Sequence, residues 1–257
     1  AFYHYRLGTV VHSSRELNVH NTIATLSLCN DYTGTSELCS LFLSQDYRQN
    51  DNGKTLAQSR FLFMAQHPHR FAEQVIAELR GVSDENGRSP FWTWLEAHFF
   101  SLDYATADHL TGIGKKSFIA ELMPKYPIYV SLLDPAAQAV IGKVHKETLP
   151  ALKMLEKEGF DYRGYVDIFD AGPTVEAKIT EITSIQASIL CQVVINEKNK
   201  MAFHLAANTL VNDFRASRIK VNITKKKNKH QALNIVEIQQ NDAIALKVAE
   251  GDLLRIL

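Results

Sequence analysis

Leu38-Cys39-Ser40-Leu41-Phe42-Leu43, then Ser44-Gln45-Asp46-Tyr47-Arg48-Gln49-Asn50-Asp51-Asn52-Gly53, then Lys54 onward is the stretch on which the fold turns. The first six residues are short, apolar and bounded by turn-forming residues, which predicts a strand. Ser44 to Gly53 is polar and reads as a loop. From Lys54 to about His67 the absence of Gly or Pro and the spacing of Leu56, Ser59, Arg60 and Phe63 predict a helix, with Phe61 to Ala65 apolar nearly all round and so buried against a sheet. Strand, polar loop and helix in that order form a seat for an anion. The first-turn N–H groups of the helix point out of its positive end, and Arg48 adds a guanidinium whose fork suits phosphate.

Outward from this stretch, Leu7 to Val11 and Ile23 to Leu28 read as strands, with Asp31-Tyr32-Thr33-Gly34 as a break. Val75 to Leu79 fits a helix or a short core strand, and periodicity leaves both open. Ser89-Pro90 and Asp134-Pro135 place a cap and a first-turn proline before Phe91 and Ala136, with Gly142 as a stop after Ile141. Leu149 to Glu158 carries an apolar stripe and ends at Gly159 in the C-cap position. From about Val175 the texture becomes β-like, in Ile185 to Val194, Met201 to Leu205, Leu233 to Ile238 and Leu253 to Leu257. The expected division is residues 1–172 as one domain and 173–257 as a small, mostly antiparallel β-rich one.

Lys plus Arg and Asp plus Glu are both 28, so the formal net charge is zero and no polyanion footprint stands out. Lys225-Lys226-Lys227 with Lys229 reads as a solvated turn, because no aromatic stacking series accompanies it. Hydrophobic content of 46% suffices for a full core, and no run approaches the roughly 20 apolar residues of a membrane span. Cys29, Cys39 and Cys191 form no Cys-x-x-Cys pair and point to a reducing, cytoplasmic setting. The histidines show no zinc spacing, so no metal is expected.

Leu41 to Gly53 resembles the acyl-CoA motif of GNAT-type N-acyltransferases, Arg/Gln-x-x-Gly-x-Gly/Ala. Arg48 and Gly53 match its ends, and Asp51 stands in place of the first glycine. A broader resemblance is to the arginine N-succinyltransferase family, including the α subunits of its arginine/ornithine forms. It is carried by Gly8-Thr9-Val10-Val11-His12, Glu16-Leu17-Asn18-Val19, Ser36-Glu37-Leu38-Cys39, Ser89-Pro90-Phe91-Trp92, Phe118 to Lys125, Leu155 to Phe160 and Asp167-Ile168-Phe169-Asp170. The resemblance weakens over the last stretch of chain. It implies an α+β fold, an incomplete GNAT-like acyl-CoA N-acyltransferase fold lacking its opening strands, with a small C-terminal β-rich domain.

The same resemblance implies transfer of a succinyl group from succinyl-CoA to the α-amine of L-arginine, with succinyl-CoA as substrate and no permanently bound cofactor. It implies Leu41, Leu43, Arg48, Asn52 and Gly53 as acyl-CoA contacts, the Leu41 backbone N–H as oxyanion donor, and His145 as the proton-transfer group. From its residues alone His145 is a loop histidine, a side chain able to give or take a proton. Arg recognition needs carboxylates, for which Asp31, Glu37 and Glu121 are candidates; Lys125 or Arg15 are candidates for the succinyl carboxylate. The partners expected are the two substrates and a homo-oligomer or related subunit, with no nucleic acid and no membrane. A thioester hydrolase and a noncatalytic CoA-binding or assembly subunit are the alternatives.

Overall fold

A computed structural model describes residues 2–99, 106, 109–110, 121–197, 202–228 and 231–257. They form two compact units, Ala1–Cys39 with Gln74–Ala177, and Ser40–Glu73 with Lys178–Leu257. The first β-strands, β1 (His4–Ser14) and β2 (Val19–Cys29), make an antiparallel hairpin with His4 opposite Cys29 and Ser14 opposite Val19. Asn18 takes the left-handed conformation in its turn, which asparagine tolerates better than most residues. The hairpin joins a seven-stranded sheet together with β3 (Ser36–Glu37), β4 (Gln74–Glu78), β5 (Ile128–Tyr129), β6 (Asp161–Val166) and β7 (Pro173–Lys178). Their order is β3-β4-β7-β6-β1-β2-β5. Residues 74–78 are thus a strand, which settles the alternative that periodicity left open, and Val75, Ile76 and Ala77 are all buried as befits a central strand.

Helices α1 (Asn52–Gln66), α2 (Pro90–Phe99), α3 (Pro135–Val140), α4 (Leu149–Lys157), α5 (Thr183–Ala187) and α6 (Gln240–Leu246) are named in chain order. Pro90 and Pro135 stand at the starts of α2 and α3, where the missing N–H costs no helical bond. The core of the first unit packs Phe91, Trp92, Trp94 and Leu95 of α2 against Tyr5, Leu26 and Val166 of the sheet, with Ala137 and Val140 of α3.

The second unit closes a barrel, β10-β11-β8-β12-β9, from β8 (Ile189–Ile195), β9 (Ala202–Asn208), β10 (Ala216–Asn228), β11 (Gln231–Ile238) and β12 (Leu253–Ile256). Its pairs are antiparallel except for β8 with β11. Alternation along these strands sends Cys191, Val193, Val221, Val236, Leu254 and Ile256 inward. Leu62 of α1 packs on Leu205 and Ala207 of β9, so the apolar side of α1 lies on the barrel wall. Helix α1 stops at His67, ahead of Pro68.

Several expectations need correction. Leu38–Leu43 is not a strand: the ladder to β4 ends with the Leu38 N–H donating to the Ile76 carbonyl at 2.8 Å. Ser40 has φ +52°, a left-handed turn that an extended strand cannot pass through. Residues 183–187 are helical, and strand β8 starts only at Ile189. Lys225, Lys226 and Lys227 are paired within β10, opposite Asn234, Leu233 and Ala232, rather than standing in a turn. Residues 40–73 group with the C-terminal stretch, and the units divide between Ala177 and Lys178. Phe118 to Ala120, Met201 and Lys229 lie outside the described residues.

Candidate active site

The polar loop in the second unit is held by its own side chains. After a 3-10 turn at Gln45–Tyr47, the Arg48 Nε donates to the Leu43 carbonyl at 3.0 Å and the Asn52 Nδ2 to the Tyr47 carbonyl at 3.0 Å. These bonds bring Leu43, Arg48 and Asn52 together. Gly53 adjoins them, since a Cβ added there would lie 3.9 Å from the Leu43 side chain. That is ordinary contact, so nothing inside the loop demands glycine at 53. The left-handed positions are instead Asn50 and Asp51, with φ +51° and +60°. Leu41 and Phe42 are exposed, and among the described residues nothing accepts the Leu41 N–H.

Asp51 is the residue before the first turn of α1, and its side chain makes no cap bond there. It faces Arg218 of β10 instead, with Oδ2 3.8 Å from the guanidinium. Asp51, Lys54, Thr55, Gln58, His204 and Arg218 share a cavity of about 230 Å³. Arg218 offsets the charge that Asp51 brings to the helix start. Reading along the chain could not find Lys54 and Arg218 as a pair, because only the barrel brings β10 to α1.

His145 lies in the first unit. Its N–H donates to the Arg80 carbonyl at 2.8 Å, beside an isolated bridge between Gly81 and Val144. The imidazole is 12% exposed, and its Nδ1 accepts the Glu147 N–H at 3.3 Å. In the neutral ring this bond leaves the proton on Nε2. The Glu147 carboxylate lies 4.0 Å from Nδ1, where it can partner a charged ring. Arg80, Ser83, Asp84, Glu85, Lys146 and Glu147 line, with His145, a cavity of about 490 Å³.

The segment after β6 sets this arrangement. The buried Asp170 carboxylate accepts the Gly81 N–H at 2.7 Å and the Gly172 N–H at 2.8 Å. Both glycines are required by the closeness of the chains: a Cβ on Gly81 would stand 2.6 Å from the Asp170 carbonyl, and one on Gly172 2.1 Å from the Leu79 carbonyl. The Ala171 carbonyl accepts the Gly142 N–H at 2.8 Å, which ties the approach to His145 to the same turn. Asp167 accepts the N–H groups of Phe169 and Asp170. Burial, reinforced by the nearby charges of Asp170 and Glu78, raises its carboxyl well above the usual carboxylate range.

The other candidates are placed apart from this cavity's lining. Asp31 accepts the Tyr165 hydroxyl at 2.8 Å and stands 4.0 Å from Arg6. Glu37 is exposed on β3, and Arg15 is in the β1–β2 turn. Glu121 and Lys125 are exposed. Asp84 also lines the cavity, and Asp84-Glu85-Asn86-Gly87 carries the turn chemistry that fixes its carboxylate. Among the described residues no group of three His, Cys, Asp or Glu is arranged for a metal, and no helix is long and apolar enough to cross a membrane.

Residues 1–184 match the family described as arginine N-succinyltransferase beta subunit. The chain is 48% identical over its whole length to the arginine N-succinyltransferase of Citrobacter koseri, covering 73% of that protein. It is 52% identical over 225 residues to that of an Enterobacter species, an alignment covering 87% of this chain and 65% of the relative. The chain thus spans about two thirds to three quarters of the length of these relatives. The solved structure of arginine/ornithine succinyltransferase subunit AI from Pseudomonas aeruginosa superposes on all of the chain with a TM-score of 0.85 and 39% identity, over 72% of that protein. A family match over most of the chain, near-half identity end to end and a shared fold lead to one conclusion: the chain belongs to the arginine N-succinyltransferase family.

Proposed function

We propose that this chain transfers the succinyl group of succinyl-CoA to the α-amine of L-arginine, giving N2-succinyl-L-arginine and CoA. The observation that carries this reading is the end-to-end identity to proteins of that name. His145 supports it locally, a histidine with one nitrogen bonded to the backbone and a cavity at its side chain. Parallel β3 and β4, with Ser40 turning the chain off the sheet after Leu38, are compatible with the parted strands of a GNAT-like acyl-CoA site.

In this reading the neutral amine nitrogen attacks the thioester carbon, and the carbonyl oxygen gains negative charge. A single N–H donor to that oxygen is worth roughly 3 to 4 kcal/mol. Collapse breaks the C–S bond. His145 gives its Nε2 proton to the departing sulfur, and the proton shed by the amine restores the ring, so protons balance without a covalent acyl-enzyme. Arg48 and the N–H groups of Gly53 and Lys54 are the proposed donors to the CoA phosphates, and Lys54 and Arg218, which line one cavity at the start of α1, add positive charge there.

Mass spectrometry of the protein incubated with succinyl-CoA and arginine tests the reading. N2-succinylarginine is the expected product, and His145→Ala is expected to reduce its rate by roughly 10²- to 10⁴-fold. Free succinate released at the same rate without arginine would replace the reading with thioester hydrolysis. No turnover and no CoA binding would remove it.

A further inference from the structure

The cavity beside His145 is lined by opposite charges, and the carboxylate among them, Asp84, is held by backbone bonds. Asp84 Oδ1 accepts the N–H groups of Asn86 at 2.9 Å and Arg88 at 2.8 Å, a local turn that locks the carboxylate and leaves Oδ2 available. Across the same lining, the Arg80 guanidinium donates to the Ser83 hydroxyl at 2.8 Å. A second cavity, of about 480 Å³, shares Ser83 and Asp84 with the first and continues past Trp94 to Asp134. Both volumes are in the range of small-molecule sites. Surface carboxylates on long side chains, such as Glu85 and Glu147, must lose rotamer freedom to hold a ligand. Asp84 has already been held in place by backbone bonds, so it loses the least.

A basic α-amino acid carries an amine to be acylated, a carboxylate and a distal cation. Here a histidine, a guanidinium and a carboxylate held by backbone bonds line one cavity. Resting on the transfer reading above, we infer that Asp84 is the specificity-determining residue for the acceptor: its free carboxylate oxygen pairs with the positively charged end of the acceptor's side chain while the α-amine lies at His145. A guanidinium suits this partner because its planar fork can bond a carboxylate through two N–H groups.

Asp84→Asn is a clean perturbation, because the asparagine carbonyl can still accept the Asn86 and Arg88 N–H groups and only the charge is lost. Asp84→Ser, whose hydroxyl can also close the turn, is the second variant. Thermal unfolding verifies that each is folded. The readout is kcat/KM for arginine against citrulline, which replaces the guanidinium by an uncharged urea of the same shape. We expect kcat/KM for arginine to fall tenfold or more, chiefly through KM, while that for citrulline changes less than about threefold, so the preference for arginine shrinks. An unchanged arginine-to-citrulline preference in folded, active variants would overturn the assignment of Asp84 and leave succinyl transfer standing. A wild-type protein that acylates neither amino acid would instead overturn the transfer reading, and the acceptor assignment with it.

Discussion

Replacing Asp170 by alanine removes one carboxylate that accepts two buried backbone N–H groups, those of Gly81 and Gly172. Each orphaned donor costs about 1 to 3 kcal/mol, so the expected loss is about 2 to 6 kcal/mol for the first unit. Both tryptophans, Trp92 and Trp94, sit in the core of this unit, so tryptophan fluorescence during urea unfolding reports on it specifically. With a urea slope of about 2 to 3 kcal/mol per molar, the midpoint should fall by about 0.7 to 3 M. Asp170→Asn should recover only part of this, since its amide NH₂ must face one of the two donors. Because Gly81 is bridged to Val144, next to His145, the surviving folded fraction should also transfer succinyl groups more slowly. A midpoint within the error of wild type for Asp170→Ala would refute the argument that this carboxylate ties β4 to the turn after β6.

Asp167 keeps its proton in the folded protein at pH values where the unfolded chain has lost it, so its contribution to stability is full below the ordinary carboxylate range and is lost as pH rises through the raised native value. Asp167→Asn should flatten that decline in urea titrations across pH while preserving the turn; an undiminished slope would contradict the assignment. Asp51→Gly replaces a left-handed aspartate, a conformation costing an ordinary residue about 1 to 2 kcal/mol, and removes a carboxylate from the start of α1. Calorimetry with CoA should show several-fold tighter binding and no loss of stability, and weaker binding would show that Asp51 works with the ligand rather than against it.

Local patterns in the sequence were enough for the elements whose causes are local. The prolines at 90 and 135, the glycine at 159 and the apolar run of α1 set helices close to where they are found. The resemblance carried by short blocks reached the family before any coordinate. His145 was legible as a loop histidine, but its orientation was not, because the Arg80 carbonyl and the Gly81 bridge that hold it are remote in sequence. Leu38–Leu43 misled because apolar content does not report backbone conformation, and one left-handed residue, Ser40, decides whether a chain can continue as a strand.

Tertiary structure alone decided three things: that residues 40–73 stand with the barrel, that Arg218 meets Asp51, and that Asp84 and Arg80 share a cavity with His145. Propensity, capping and turn chemistry act over a few residues and can be read along the chain. Ion pairs and cavities depend on which distant segments the sheet and the barrel bring within a few ångströms, and that is settled by packing the whole core at once.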